Sequence, residues 1–258
     1  MLQIWPVPVL ADNYVWILER QGSGRVAVVD PGDAEPVLAA IERRDLEIST
    51  ILLTHHHGDH VGGVAELSRR FQPAVVGPLR ERIDGVTRSA TEGDRIELDD
   101  LEVTLTAIDV PGHTAGHMAY LAPDFALVGD TLFAGGCGRV FEGTPEQMHG
   151  SLSRLGALSP AIAVYCAHEY TVANLRFARA VEPANVAVAD RLAAAEELRA
   201  AAQPTVPSRL ADELATNPFL RCSQPAIVAA AEARTGRTLS PGAEIFAVIR
   251  TWKDGFAG

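Results

Sequence analysis

The segment Thr54-His55-His56-His57-Gly58-Asp59-His60 places four imidazoles and one carboxylate side by side, directly after the apolar run Thr50-Ile51-Leu52-Leu53. In extended backbone, residues two apart project to the same side, so His55 and His57 can face one point while His56 turns away. Gly58 permits a sharp turn, and Asp59 and His60 come round it at the mouth of the next helix to address a second point close to the first. A mid-chain position between strand and helix separates this cluster from a tag-like histidine tract and points to metal binding. His56 is read as structural or as a support behind a ligand.

The same arrangement recurs. Leu101 to Val110 ends in Pro111-Gly112-His113, Phe125 to Val128 ends in Gly129-Asp130, and Ala161 to Cys166 ends in Ala167-His168. Strand ends hold loop residues rigidly. If the strands share one sheet, His113, Asp130 and His168 can converge on the His55 to His60 segment. These residues exceed the four ligands of one tetrahedral zinc, but they suit two metals that share a carboxylate. The resulting assignment puts one metal on His55, His57, His113 and Asp130, and the other on Asp59, His60, His168 and the same Asp130. Two dications against the carboxylates of Asp59 and Asp130 leave net positive charge. A water bridging them should lose its proton near neutral pH, as metal-bound water can fall to a pKa of ~7. That hydroxide, with Asp59 and Asp130 holding the metals, is the expected catalytic group. His and carboxylate ligands accept zinc, iron or manganese; two divalent ions are expected, zinc first among them.

Other polar residues have plainer readings. His149 reads as a surface or satisfied core residue. His117 reads either as a core histidine or as a partner that orients a ligand. Asp30, before Pro31-Gly32, is most simply a turn residue, with support of a ligand as the second reading. Cys137 has no histidine to activate it beyond those assigned to metal, so packing is expected rather than nucleophilic chemistry.

The elements that must carry these residues follow from periodicity. Val26 to Val29 and Thr50 to Leu53 read as strands. Helices are expected over Glu35 to Arg43, over Val61 to Phe71 with Val64, Leu67 and Phe71 on one face, and over Glu146 to Leu158. The last should have Thr144 as N-cap, Pro145 at N1 and Gln147 closing a capping box. After about Tyr170 the sequence becomes Ala-rich and Leu-rich with helical spacing, broken at Pro183 and between Pro204 and Ser208. A final helix from Ser240-Pro241 should bury Ile245, Val248, Ile249 and Trp252.

Bulk properties bound the function. A chain of 258 residues with 47% hydrophobic and 21% charged content matches an ordinary globular protein. No apolar run approaches the ~18 residues of a membrane span, and Met1 to Leu10 has no basic n-region, so neither a membrane partner nor export is expected. Cys137, Cys166 and Cys222 are odd in number and widely spaced, which suits reduced thiols and a cytoplasmic location. The net charge of -11 disfavours a nucleic-acid partner. A monomer is expected.

The set His55-x-His57-x-Asp59-His60, Pro111-Gly112-His113-Thr114-x-Gly116-His117, Gly129-Asp130-Thr131-Leu132-Phe133 and His168 resembles the ordered motifs of the metallo-β-lactamase superfamily. The resemblance implies an α/β fold: an αββα sandwich over residues 1–169, with a smaller all-helical C-terminal domain over 170–258 that binds substrate. Further stretches resemble the glyoxalase II, or hydroxyacylglutathione hydrolase, family. They are Gly136-Cys137-Gly138-Arg139-Val140-Phe141-Glu142-Gly143, His168-Glu169-Tyr170-Thr171 with Asn174, Thr216-Asn217-Pro218-Phe219-Leu220-Arg221, and Arg250-x-x-Lys253-Asp254.

Carried over residue by residue, this family implies Arg139, Tyr170, Arg250 and Lys253 as contacts to a glutathione thioester, S-D-lactoylglutathione. Its hydrolysis to glutathione and D-lactate belongs to methylglyoxal detoxification. Some members have Lys where Arg139 stands and Tyr where Phe141 stands; Phe141 lacks the hydroxyl and is kept as a packing contact. Arg250 and Lys253, three apart, fall on adjacent positions of one helix face and can present paired charge to carboxylates beside the Ile245 to Trp252 stripe. The competing reading of these two is a solvated charged face. The rival activities on the same motifs are a glutathione-persulfide dioxygenase and a lactonase or other thioesterase; a non-enzymatic metal-binding protein would need only one closed four-ligand shell.

Overall fold

The computed structural model describes residues 1–256. The chain divides into two compact units, Met1–Asp109 with Ala115–Gly129, and Val110–Thr114 with Asp130–Gly258.

In the first unit, β1 (Leu2–Val9), β2 (Asn13–Arg20), β3 (Arg25–Val29), β4 (Glu47–Leu52), β5 (Ala74–Pro78) and β6 (Arg88–Ala90) form one sheet in that order. The first three pair antiparallel through tight connections, and β3 to β6 pair parallel. A parallel neighbour needs a crossover. Here α1 (Ala34–Arg43) lies between β3 and β4, and the one-turn α2 (Gly58–Val61) with α3 (Val64–Phe71) lies between β4 and β5. The helix α1 starts where Asp33 accepts from the Glu35 backbone N–H and buries Val37, Ala40 and Ile41. These pack with Ile17, Val28, Ile51, Leu67 and Val75 in one apolar core. In the same unit β7 (Arg95–Leu98), β8 (Val103–Asp109), β9 (Met118–Leu121) and β10 (Phe125–Gly129) pair antiparallel in sequence order. Tyr120 on β9 is fully buried, and its hydroxyl donates to the Leu53 carbonyl at 2.7 Å.

The single helix expected over Val61 to Phe71 is two. Gly62 and Gly63 have low helix propensity, and the Gly63 N–H donates out of the helix to the Pro31 carbonyl at 2.8 Å. Gly58, expected at a sharp turn, is instead the first residue of α2, so Asp59 and His60 lie inside that turn of helix.

In the second unit, β11 (Leu132–Phe133) and β12 (Gly136–Cys137) form a small hairpin. Next come α4 (Pro145–Gly156) and β13 (Ala163–Cys166), followed by α5 (Thr171–Val181) and α6 (Val186–Ala200). A two-residue β14 (Ser208–Arg209) pairs antiparallel with β13, and α7 (Leu210–Thr216), α8 (Pro225–Thr235) and α9 (Ala243–Asp254) complete the chain. Among the described residues after Tyr170, β14 is the one departure from an all-helical region. Among them too, no helix is long and apolar enough to cross a membrane.

Helix α4 opens as its sequence requires, with Thr144 capping Gln147 N–H, the Gln147 side chain returning to Thr144 N–H, and Pro145 in the first turn. Its Ser151 hydroxyl donates to the Pro111 carbonyl at 2.8 Å, which ties the turn before His113 to the helix. Helix α9 differs from expectation. It begins at Ala243 and buries Ile245, Phe246, Ile249 and Arg250, leaving Val248 and Trp252 part-exposed. Phe246 sets the rotation, because its ring meets Phe219 at 5.6 Å between centroids. Replacing Thr144 with Ala should cost about 1 kcal/mol, read as a lower urea midpoint with an unchanged slope.

Candidate metal centre and basic cleft

The first unit presents His55, His57, Asp59 and His60 from the exit of β4 and from α2. The Thr54 N–H and hydroxyl both donate to the Asp30 carboxylate, at 2.8 and 2.7 Å. With its proton committed there, Thr54 Oγ1 accepts from His55 Nδ1 at 3.0 Å. That leaves His55 Nε2 as the lone-pair nitrogen, and it lies 3.1 Å from His57 Nδ1. His60 is fully buried, with Nδ1 3.2 Å from Asp30 Oδ2 and Nε2 3.4 Å from Asp59 Oδ2. The buried Asn13 amide donates to Asp59 Oδ2 at 3.0 Å and so aims that carboxylate. His56 turns away to Glu81, which accepts from its backbone N–H at 3.2 Å and from its ring. His117 is buried with its ring stacked on His55, 4.7 Å between centroids.

The second unit presents His113, Asp130 and His168, all buried. His113 Nδ1 donates to the Arg139 carbonyl at 2.8 Å. A carbonyl can only accept, so His113 Nε2 carries the lone pair; it lies 3.4 Å from Asp130 Oδ2. His168 Nε2 lies 3.3 Å from the same oxygen, and the Tyr170 ring stacks flat on His168 at 4.8 Å. Gly138 passes so close to this group that a Cβ there would stand 2.0 Å from the Asp130 carbonyl oxygen and 3.1 Å from His113 Nδ1.

These donor atoms fit a metal ion. Two ligands on a tetrahedral ion with bonds of about 2.1 Å stand about 3.4 Å apart, and the pairs within each unit are separated by 3.1 to 3.4 Å. The imidazole nitrogens facing those partners at His55 and His113 are lone-pair nitrogens, as coordination requires.

The second unit also holds an open cleft of about 460 Å³, lined by Arg139, Phe141, Arg250, Thr251 and Asp254 among others. Phe141 is 61% exposed and offers its ring to whatever enters. Arg250, expected beside the apolar stripe with a solvated face as the competing reading, is instead buried within the stripe. Its Nη1 donates to the Cys137 carbonyl at 3.0 Å and its Nη2 to Asp254 at 3.1 Å. Lys253 Nζ donates to the Ala173 carbonyl at 3.2 Å and lies over the Phe177 ring. Burial first, then the Arg250 and Arg139 charges, hold its pKa below the usual lysine value. Cys137 is buried and its thiol is pushed up to about 11, mainly by burial, so it is no thiolate nucleophile at neutral pH.

Comparison with known proteins places these features. A family model described as Metallo-beta-lactamase superfamily matches residues 10–168, and one described as Hydroxyacylglutathione hydrolase C-terminus matches residues 169–256. The chain is 53% identical over 254 residues to the hydroxyacylglutathione hydrolase of Alkalilimnicola ehrlichii, covering 98% of this chain and 99% of that protein. The chain belongs to the hydroxyacylglutathione hydrolase family. The crystal structure of ETHE1 from Myxococcus xanthus shares the fold, with a TM-score of 0.66 at 21% identity and 98% of each chain covered. The crystal structure of TTHA1623 in a di-iron-bound form is 28% identical over 64% of this chain and 91% of that one, with a TM-score of 0.53.

Family membership gives the C-terminal motifs a setting, and the structure shows their local work. Asn217 donates to the Phe133 and Gly136 carbonyls at 3.2 and 2.8 Å, and Asn174 to the Ala134 carbonyl at 3.1 Å, so both hold the hairpin that follows Asp130. The sequence reading missed Asn13, Thr54 and Glu81 and gave Asp30 its turn role first. Asp30 is both: it sits at φ 50° and supports Thr54 and His60. Asn13 and Glu81 lie far in sequence from the residues they support, and Thr54, though next to His55, has no pattern of its own; only the Asp-Pro-Gly context of Asp30 carried any local signal. Replacing Asp130 with Asn should leave less metal per chain than wild type after dialysis against a chelator, read by elemental analysis. Wild-type content would remove Asp130 from the ligand set.

Proposed function

We propose that this chain hydrolyses S-D-lactoylglutathione to glutathione and D-lactate at a centre of two divalent ions. The observation that carries the reading is the pair of prepared ligand sets, next to a sequence half identical to a hydroxyacylglutathione hydrolase along its length. In this reading His55, His57 and His113 would hold one ion and Asp59, His60 and His168 the other, with Asp130 shared between them. Zinc suits nitrogen and carboxylate ligands, and the di-iron form of the 28% identical neighbour keeps iron beside it. Bound there, the ions supply Lewis acidity and acidify water.

The remaining work falls to the chain's own residues. The Asp30, Thr54 and Arg139 acceptors hold the imidazoles in the ligating tautomer, and Asn13 aims Asp59. In the cleft, the guanidinium of Arg139 can take a glutathione carboxylate in two hydrogen bonds, with Arg250 beside it, Lys253 on the same helix, and Phe141 packing against the peptide. Tyr170, stacked on His168, would contact substrate where the thioester meets the ligands. The departing thiolate has a parent pKa of ~8.5, so the reaction needs no strong general acid. We assign the catalytic work to residues 1–169, which also lend Arg139 and Phe141 to the cleft, and the remaining substrate contacts to 170–258, in a monomer. The buried free thiols support a reducing, cytoplasmic setting.

The test is loss of thioester absorbance with metal-analysed protein, comparing wild type with Arg139→Ala. Arg139 is preferred to Arg250 because its side chain is 66% exposed, whereas the Arg250 guanidinium braces the Cys137 carbonyl. Robust turnover is expected, with KM raised about 10-fold and kcat little changed in the variant, the pattern of lost uniform binding. A protein that holds its metal and leaves the thioester intact would overturn the assignment.

A further inference from the structure

We infer that Glu81 is a positioning residue for the metal ligands, its one carboxylate fixing both the His55–His57 segment and the turn that follows His113. Glu81 lies beyond the end of β5, far in sequence from both, and its side chain is 2% exposed. Oxygen Oε2 accepts from the His56 backbone N–H at 3.2 Å and from the His56 ring. Oxygen Oε1 accepts from the Gly116 backbone N–H at 2.8 Å. A carboxylate taken out of water is tolerated only where hydrogen bonds replace its hydration, and these donors do so.

The geometry has two consequences. His56 is flanked by His55 and His57, so fixing its backbone N–H and its ring together sets the direction in which both neighbours project. Gly116 lies three residues beyond His113, and a Cβ there would stand 2.7 Å from Glu81 Oε1 and 2.8 Å from Arg80 Cβ. The glycine of that motif is therefore the space that lets the carboxylate reach the turn. The His56 segment and the Gly116 turn, distant in sequence, meet at one side chain that is outside the proposed ligand set and the proposed substrate contacts.

The inference rests on the metal-centre reading and not on the identity of the thioester. Glu81→Gln keeps the size of the side chain, yet its amide nitrogen must face one of the backbone N–H groups, donor against donor. Glu81→Asp keeps the charge but is too short to serve both loops. Metal release to a chelator should be about 10- to 100-fold faster in Glu81→Gln, in the range that supports behind metal ligands contribute, and intermediate in Glu81→Asp. KM for the thioester should stay at the wild-type value while kcat falls. A clamp serving the fold alone would instead lower the melting temperature of the metal-free protein and leave release from the folded holoprotein unchanged; that result, or wild-type release in both variants, overturns the inference. Lack of thioester turnover in wild type would count against the proposed reaction and leave the release comparison standing.

Discussion

A neutral imidazole has one nitrogen that donates and one that accepts, and it can serve a cation only through the second. What holds the first nitrogen therefore decides whether a histidine is a ligand. In this protein those holders are in place: Thr54 Oγ1 for His55, backed by Asp30, and the Arg139 carbonyl for His113. Asp30 serves a second histidine, with Oδ2 3.2 Å from His60 Nδ1. It does so from a left-handed backbone conformation that aspartate tolerates better than most side chains. Thr54 and Asp30 are buried, so their geometry is set by packing rather than by solvent.

The same economy governs the hairpin after Asp130. Glu213 is fully buried; it accepts from the Gly135 N–H at 2.8 Å and from Asn217, and it pairs with Arg191. Asn217 in turn donates to two hairpin carbonyls, and Arg250 donates to a third at Cys137. Buried backbone carbonyls need partners, and α7 and α9 supply them. Asn217 and Arg250, which lie in the stretches that resemble the glyoxalase II family, thus brace the strand pair that leads from Asp130 to the cleft.

The cleft itself resolves a conflict of charge. A chain with net charge -11 offers an anion a repulsive mean field, and Arg139, Arg250 and Lys253 form a local exception on one short helix and one loop. Asp254 moderates it, with Oδ1 3.1 Å from Arg250 Nη2 and 3.7 Å from Arg139 Nε. If the cleft takes a carboxylate as proposed, Arg250 would meet it already held in place, which lowers the entropy lost on binding.

The sequence by itself determined the donor types, their spacing and the elements that end beside them. His-x-His on an extended segment, a capping box on α4 and apolar runs before each ligand are local patterns, legible because each depends on residues a few positions apart. It misjudged the break at Gly62-Gly63 and the rotation of α9, where a carbonyl at Pro31 and a ring at Phe219 overrule local periodicity. Only the tertiary structure decided which nitrogen of His55 and of His113 carries the proton and which carboxylates stand behind the histidines. Asp30 reaches Thr54 across 24 positions, Glu81 reaches Gly116 across 35, and Asn217 reaches Phe133 across 84. Hydrogen bonds of that reach have no local sequence pattern, because the packed core, and not the neighbouring chain, sets the distance between their partners.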